Sequence, residues 1–319
     1  MTQYIFVTRK LPENLLDPLR SIGVVDMWEQ DSPCPRSVLL EKAKKADALL
    51  TMLSDRVDEE LLQKAKKLKI VANLAVGYDN IDLEASKKYG VTVSNTPDVL
   101  TDTTADLTFA LLMAAARRLV EAADYVKEGK WTGWSPFLLA GNDIHHKTIG
   151  IVGMGKIGEA VARRAKGFDM EILYHNRSKK PEVEKELGAK YCTFDELLEK
   201  ADFVVNLTPL TNETKNLFDE EAFKKMKTSA IFVNAGRGAS VDENALYNAL
   251  KTGEIAGCGL DVFKEEPIDS NHPLLSLKQV VALPHIGSAS RETRIKMIEL
   301  CVENIQRVLT GEKPKTAVV

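Results

Sequence analysis

The chain has 319 residues, 44% hydrophobic and 28% charged, with a formal net charge of −3. That length suits two domains of ordinary globular composition, and the small net charge gives no electrostatic case for nucleic acid or an anionic membrane as partner. Cys34, Cys192, Cys258 and Cys301 are scattered, with no Cys-x-x-Cys pair and no metal-ligand spacing, which argues for free thiols in a reducing cytoplasm and against a disulfide framework or a metal site.

The first hundred residues alternate short apolar runs with helical patterns. Strands are predicted at 4–7, 24–27, 48–52, 70–74 and 91–94, and helices near 11–21, 36–45, 58–66 and 81–88. The opening Tyr4-Ile5-Phe6-Val7 reads as a strand, not as a secretion signal. This alternation argues for a parallel, doubly wound sheet. Two basic runs, 42–45 and 64–67, fall at predicted helix ends, where they complement the helix dipole.

A long helix is predicted from Thr101–Thr104, which offer capping oxygens, to about Tyr125. Its most apolar stretch contains Asp106 and Thr108 and runs into Arg117 and Arg118, so it is too short and too polar to cross a bilayer. Residues 129–141 then show no clear period. Trp131, Trp134, Phe137 and Leu138 make an apolar cluster there, to be packed against its own domain or buried against a partner subunit, of which we favour the partner.

The run from Thr148 to Val152 reads as a buried strand leading into Gly153-x-Gly155-x-x-Gly158, with Ile157, Val161, Ala162 and Ala165 at helical spacing behind it. Gly153 permits the tight turn, Gly155 admits a pyrophosphate to the backbone, and Gly158 lets helix and strand pack closely. The helix opening at Lys156 and Ile157 offers N–H groups and a positive dipole end to phosphates. Strand, glycine loop and helix in that order predict dinucleotide binding.

The end of the next strand predicts which dinucleotide. An NAD site places a carboxylate there for the ribose 2′-hydroxyl. Here stands His175-Asn176-Arg177-Ser178-Lys179-Lys180, without a carboxylate. Arg177 can grip a 2′-phosphate, Asn176 and Ser178 can donate to it, and the two lysines add positive field. NADP(H) is therefore expected as the preferred cofactor, with NAD(H) possible.

Further strands are predicted at 149–153, 171–175, 202–206, 229–233, 256–260 and 279–282, and an amphipathic helix at 291–309 that can cross back to the first domain. The expected boundaries are 1–99 for a substrate-binding domain, completed by 290–319, and 100–289 for a Rossmann domain. Ligands of such sheets lie outside the carboxyl ends of the strands. Three segments sit at those ends: Asn234-Ala235-Gly236-Arg237-Gly238, Gly259-Leu260-Asp261 running on to Glu266-Pro267, and Pro284-His285-Ile286-Gly287. Each residue alone has an ordinary structural reading. Together they suit reduction of a ketone: an imidazolium gives the proton, a carboxylate on its far nitrogen orients it, and an arginine neutralises developing charge. Asp261 could hold the nicotinamide carboxamide.

The combination of the glycine loop with these three segments resembles the D-isomer-specific 2-hydroxyacid dehydrogenase family over the whole chain. The strings Val76-Gly77-Tyr78-Asp79-Asn80, Leu100-Thr101-Asp102-Thr103-Thr104 and His285-Ile286-Gly287-Ser288-Ala289-Ser290 look most like its glyoxylate/hydroxypyruvate and 2-ketogluconate reductases. The resemblance implies a Rossmann cofactor domain with a flavodoxin-like substrate domain. It implies Arg237 on the substrate, His285 as acid/base and Glu266 as its partner. It also implies backbone N–H groups of Val76 and Gly77 on the substrate carboxylate, with Ser288 nearby. Thr104, Thr208, Pro209, Thr214, Ala235 and Asp261 would line the cofactor site, and the Trp134–Leu138 loop would reach across a homodimer. No C-terminal regulatory domain is expected after the last helix. Two other readings use this scaffold, a formate- or phosphite-type oxidoreductase and a dinucleotide-sensing corepressor. The Ser288-Ala289-Ser290 pattern argues against the first, and the absence of peptide-binding features or disordered tails against the second.

Overall fold

The computed structural model describes residues 2–319, which divide into two compact units: the chain up to Leu100 together with Ala289–Val319, and Thr101–Ser288. In the first unit the chain runs β1 (Gln3–Val7), α1 (Asp17–Arg20), β2 (Gly23–Met27), α2 (Arg36–Ala43), β3 (Ala48–Thr51), α3 (Glu59–Lys64), β4 (Ile70–Asn73), α4 (Leu83–Lys88) and β5 (Thr92–Ser94). The second unit comprises α5 (Thr101–Ala116), α6 (Leu119–Lys127), β6 (Thr148–Val152), α7 (Lys156–Lys166), β7 (Glu171–His175), α8 (Pro181–Leu187), β8 (Lys190–Tyr191), α9 (Phe194–Lys200), β9 (Phe203–Asn206), α10 (Glu220–Lys225), β10 (Ile231–Asn234), α11 (Glu243–Thr252), β11 (Gly257–Leu260) and β12 (Val280–Ala282). The chain then returns to the first unit as α12 (Arg291–Leu309).

Both sheets are parallel. The first has the order β2-β1-β3-β4-β5 and the second β12-β11-β10-β9-β6-β7-β8. These are the doubly wound orders of a flavodoxin-like and a Rossmann sheet. Parallel sheets bury both faces, and the central strands alternate accordingly. Ile151, Val205 and Val233 enter one core of the second unit, while Val152, Val204 and Phe232 enter the core on the opposite face. In the first unit Phe6, Leu49, Val71 and Val93 join one apolar cluster, and α12 packs on β3 and β4.

The structure departs from the predicted elements in three places. The helix expected at 11–21 shrinks to a 3-10 turn, Glu13–Leu16, and the four residues of α1. Pro18 has no N–H for a helical partner and is tolerated only in a first turn. The long helix expected to reach Tyr125 breaks at Arg118, whose φ is +51°. There the Ala116 carbonyl accepts from Asn142 N–H at 2.9 Å, and a new helix starts behind an Arg118–Glu121 ion pair. The two-residue β8 was not predicted, being too short to show a period. In the 129–141 loop, Trp134 is 84% and Phe137 86% exposed.

Candidate active site

At the switch point of the second sheet, between β6 and β9, lies the glycine loop. Gly153 has φ +99°, and a Cβ there would meet the Leu207 carbonyl carbon at 2.8 Å, so only glycine makes the turn. Gly155 is the N-cap of α7 and offers no side chain to its first-turn N–H groups, while a Cβ on it would stand in open space. Gly158 lies against the Gly153 carbonyl. An uncapped helix start beside open space fits a pyrophosphate. Lys156 is exposed over this turn and Ile157 is packed on the core below it.

β7 ends at His175, whose Nδ1 lies 3.1 Å from the Cys192 carbonyl. Asn176 is half-buried, and Arg177 and Ser178 are exposed. The expected basic field is smaller than its residue count suggests. Lys180 is paired with Glu159 at 2.9 Å, and Lys179 lies over the Tyr191 ring. Arg177 and Lys179 remain exposed cations of this turn.

The strand ends carry a buried amide network that the sequence reading missed. Asn206 closes β9 and Asn234 closes β10. Asn206 Nδ2 donates to Asn234 Oδ1 (3.0 Å) and Ser240 Oγ (2.6 Å), and Asn206 Oδ1 accepts from the Thr208 N–H and hydroxyl. Asn234 Oδ1 accepts from Gly236 N–H, and its Nδ2 donates to the Arg237 carbonyl. Two buried amides thus shape both the Thr208–Pro209 turn and the Ala235–Gly238 turn. The parallel endings Val-Val-Asn206 and Phe-Val-Asn234 were the available signal. Thr214 holds the first turn from its far side, donating its hydroxyl to the Pro209 carbonyl at 2.6 Å.

These turns deliver the charged groups. Gly238 passes so close to the Phe263 backbone that a Cβ would sit 1.9 Å from its carbonyl carbon, so Arg237 is presented from a glycine-enforced crossing. Arg237 Nη1 donates to the Gly236 carbonyl at 2.9 Å, leaving the guanidinium half-buried. Glu266 Oε1 accepts from Phe263 N–H at 3.0 Å, and its Oε2 lies 2.6 Å from His285 Nδ1. Burial alone would raise the Glu266 carboxyl. The hydrogen bond and charge of His285, the Phe263 N–H and the charge of Arg237 outweigh it and hold the group below its ordinary value. Glu266 is therefore an anion at neutral pH and can only accept, so Nδ1 carries a proton and Nε2 is the ring nitrogen left for chemistry.

His285 itself stands at φ +52°, a left-handed backbone in a non-glycine residue. Such a conformation costs about 1–2 kcal/mol and persists only where its surroundings impose it. Asp261, 1% exposed at the end of β11, supplies that constraint. Its two oxygens accept from Ile286 N–H and Gly287 N–H, each at 2.8 Å. Burial pushes its carboxyl up, moderated by these N–H groups and by His285. Both of its oxygens are thus engaged in clamping the His285 turn. Thr104, in the first turn of α5 and 7% exposed, abuts Gly287, and Ser288 follows half-buried. The second unit thus gathers Arg237, Asp261, Glu266 and His285 at the carboxyl ends of β10, β11 and β12. Val76 and Gly77 belong to the first unit, three residues and more beyond the end of β4. Among the described residues no cluster of His, Cys, Asp and Glu could hold a metal ion, and no helix is long and apolar enough to cross a membrane.

The sequence profile of the D-isomer specific 2-hydroxyacid dehydrogenase NAD binding domain matches residues 109–287. A glyoxylate reductase of Korarchaeum cryptofilum is 51% identical over 319 residues, covering 100% of this chain and 96% of that protein. A solved structure from Thermus thermophilus superposes with a TM-score of 0.93 at 45% identity, over 99% of this chain and 100% of the other. The NADPH-dependent glyoxylate/hydroxypyruvate reductase of Sinorhizobium meliloti, solved with NADP and malonate, gives a TM-score of 0.89 at 32% identity, over 100% of this chain and 97% of the other.

Proposed function

The chain belongs to the D-isomer-specific 2-hydroxyacid dehydrogenases, oxidoreductases that use a nicotinamide dinucleotide, and from that premise we propose that it is an NADPH-dependent reductase of a small 2-keto acid. Glyoxylate leads as substrate, with hydroxypyruvate and 2-ketogluconate next, and the product is the D-2-hydroxy acid. The observation that carries the reading is the 2.6 Å contact between Glu266 Oε2 and His285 Nδ1, which leaves Nε2 free.

A bound nicotinamide dinucleotide supplies hydride to the keto carbon. The chain's residues manage the oxygen and its charge. His285 Nε2 gives its proton to the carbonyl oxygen, so that the ketone becomes an alcohol and the ring is left neutral. Glu266 accepts from Nδ1–H and keeps the ring oriented, with Nε2 towards the substrate. Arg237 binds the substrate carboxylate and carbonyl and offsets negative charge building on the oxygen. Asp261 holds His285 in its left-handed turn, so the acid is pre-positioned before substrate arrives. Val76, Gly77 and Ser288 take part in holding the carboxylate.

Gly153, Gly155, Lys156, Ile157 and Gly158 hold the pyrophosphate, and Thr104, Thr208, Pro209, Thr214, Ala235 and Asp261 line the remainder of the cofactor site. Asn176, Arg177 and Ser178 take the 2′-phosphate of NADP; residues 176–180 hold no carboxylate to repel it. The exposed Trp131, Trp134 and Phe137 support a homodimer in which this loop is covered by the second copy. Four free, buried cysteines suit the cytoplasm.

The test is NADPH oxidation followed by absorbance with glyoxylate, hydroxypyruvate, 2-ketogluconate and pyruvate, repeated with NADH. Turnover with NADPH well above NADH is the expected result. Tight NADPH binding without turnover of any acid would overturn the reductase reading.

A further inference from the structure

The turn after β4 shows an ordered pattern of used carbonyls and unused N–H groups. Three successive carbonyls are anchored: Ala75 accepts from Thr96 N–H (2.8 Å), Val76 from Asn95 Nδ2 (2.8 Å) and Gly77 from Asn73 Nδ2 (3.0 Å). In a trans peptide the N–H points opposite to the carbonyl of the same unit. The N–H groups paired with these carbonyls are those of Val76, Gly77 and Tyr78. None of the three meets a protein acceptor among the described residues. Val76 and Gly77 are half-buried and Tyr78 is 41% exposed, so the turn lies at the surface of its unit.

The anchors are themselves secured. Asn73 is fully buried, and its Oδ1 accepts from the Thr51 hydroxyl at 3.0 Å and from Asn80 Nδ2 at 3.3 Å. Asn80 Nδ2 also donates to the Met52 and Asp55 carbonyls. Asn95 is gripped by the C-terminal tail: its carbonyl accepts from the Thr316 hydroxyl at 2.7 Å, and its N–H donates to the Thr316 carbonyl at 3.3 Å. Asn304, fully buried on α12, donates from Nδ2 to that same hydroxyl at 2.8 Å, and its Oδ1 accepts from Lys315 N–H. A continuous chain of hydrogen bonds thus runs from α12 through Thr316 and Asn95 to the Val76 carbonyl.

We propose that Asn73 and Asn95 are positioning residues that pin these carbonyls and so present the N–H groups of Val76, Gly77 and Tyr78 as a preformed anion-binding turn, with Thr316 and Asn304 holding Asn95 in place. The proposal rests on the reading that this turn takes the substrate carboxylate. It adds Tyr78 N–H as a third donor and gives the returning C-terminal segment a part in substrate recognition. The charged group is recognised by backbone dipoles, which hold no net charge and need no reorganisation on binding.

Steady-state kinetics of Asn95→Ala, Thr316→Val and Thr316→Ser test it, alongside inhibition by oxamate and the Kd for NADPH. For N95A the KM for glyoxylate and the inhibition constant of oxamate should rise together by about tenfold or more, with the NADPH Kd unchanged. T316V should show the same paired rise at several-fold, and T316S, which restores the hydroxyl, should return both towards wild type. A merely structural role would lower Tm without this selective, parallel loss. The proposal is overturned if both constants stay within about twofold of wild type in folded N95A, or in T316V should N95A fail to fold. Absence of keto-acid turnover in the wild-type enzyme would instead overturn the functional reading itself, and this proposal with it.

Discussion

Replacing Glu266 by Gln isolates the charge that supports the proposed acid. At the observed 2.6 Å, two unit charges interact by about 1.6 kcal/mol at the dielectric of water and about 6 kcal/mol at an effective value of 20. The side chains are 32% and 35% exposed, which places the pair towards the solvated end, at about 2 kcal/mol. Gln also satisfies the site poorly. Its single amide oxygen can accept from Phe263 N–H or from His285 Nδ1, not from both, and its NH2 then faces a donor. We expect kcat/KM for glyoxylate at pH 7 to fall about thirtyfold, with the NADPH Kd unchanged. The pH dependence follows from the sign of the carboxyl shift. Glu266 is depressed in the folded protein, so its contribution is complete above the ordinary value of about 4.3 and is lost only as pH falls through the lower folded value. Its charge is therefore present in the wild type throughout the range from pH 7 to about 5. A loss smaller than about threefold in folded E266Q would refute the assigned role.

Three further outcomes follow. Arg177→Ala should raise KM for NADPH about ten- to a hundredfold by removing a charge-assisted phosphate contact, while KM for NADH is unaffected; equal effects on both cofactors would count against the phosphate clamp. Phe137→Asp should convert the proposed homodimer to monomer in sedimentation velocity, because burying a carboxylate in place of an 86%-exposed phenyl ring opposes association; an unchanged oligomer would place the interface elsewhere. Asp261→Asn leaves one of two backbone N–H groups without an acceptor and should lower stability by about 1–3 kcal/mol in urea titration; a variant as stable as wild type would show that the clamp on the His285 turn contributes little.

What the sequence revealed, and what it hid, divides along the range of the interactions. The glycine loop was legible because each of its requirements is local: an apolar strand before it, helical spacing behind it, and glycine where a side chain would clash with the Leu207 carbonyl. The strand ends carrying Arg237, Asp261 and His285 were legible for the same reason, since parallel strands place their ligand residues at one edge. The left-handed backbone of His285 left no such trace. It depends on Asp261, 24 positions earlier, and no local pattern records that contact. The paired roles of Asn206 and Asn234 likewise exist only once β9 and β10 lie side by side. The break at Arg118 was hidden because a helix-favouring run is interrupted from outside, by Asn142 taking the Ala116 carbonyl. Lys180 was misjudged in its effect because Glu159, a turn into α7, neutralises it across the glycine loop.

The proposed mechanism turns on His285 as the proton donor. The most direct test is the steady-state rate of glyoxylate-dependent NADPH oxidation by His285→Ala, measured beside NADPH binding to the same protein by fluorescence. Turnover should fall by about a hundredfold or more while NADPH binding stays within about twofold of wild type. Turnover within about tenfold of wild type would contradict the assignment, and with it the mechanism built on the Glu266–His285 pair.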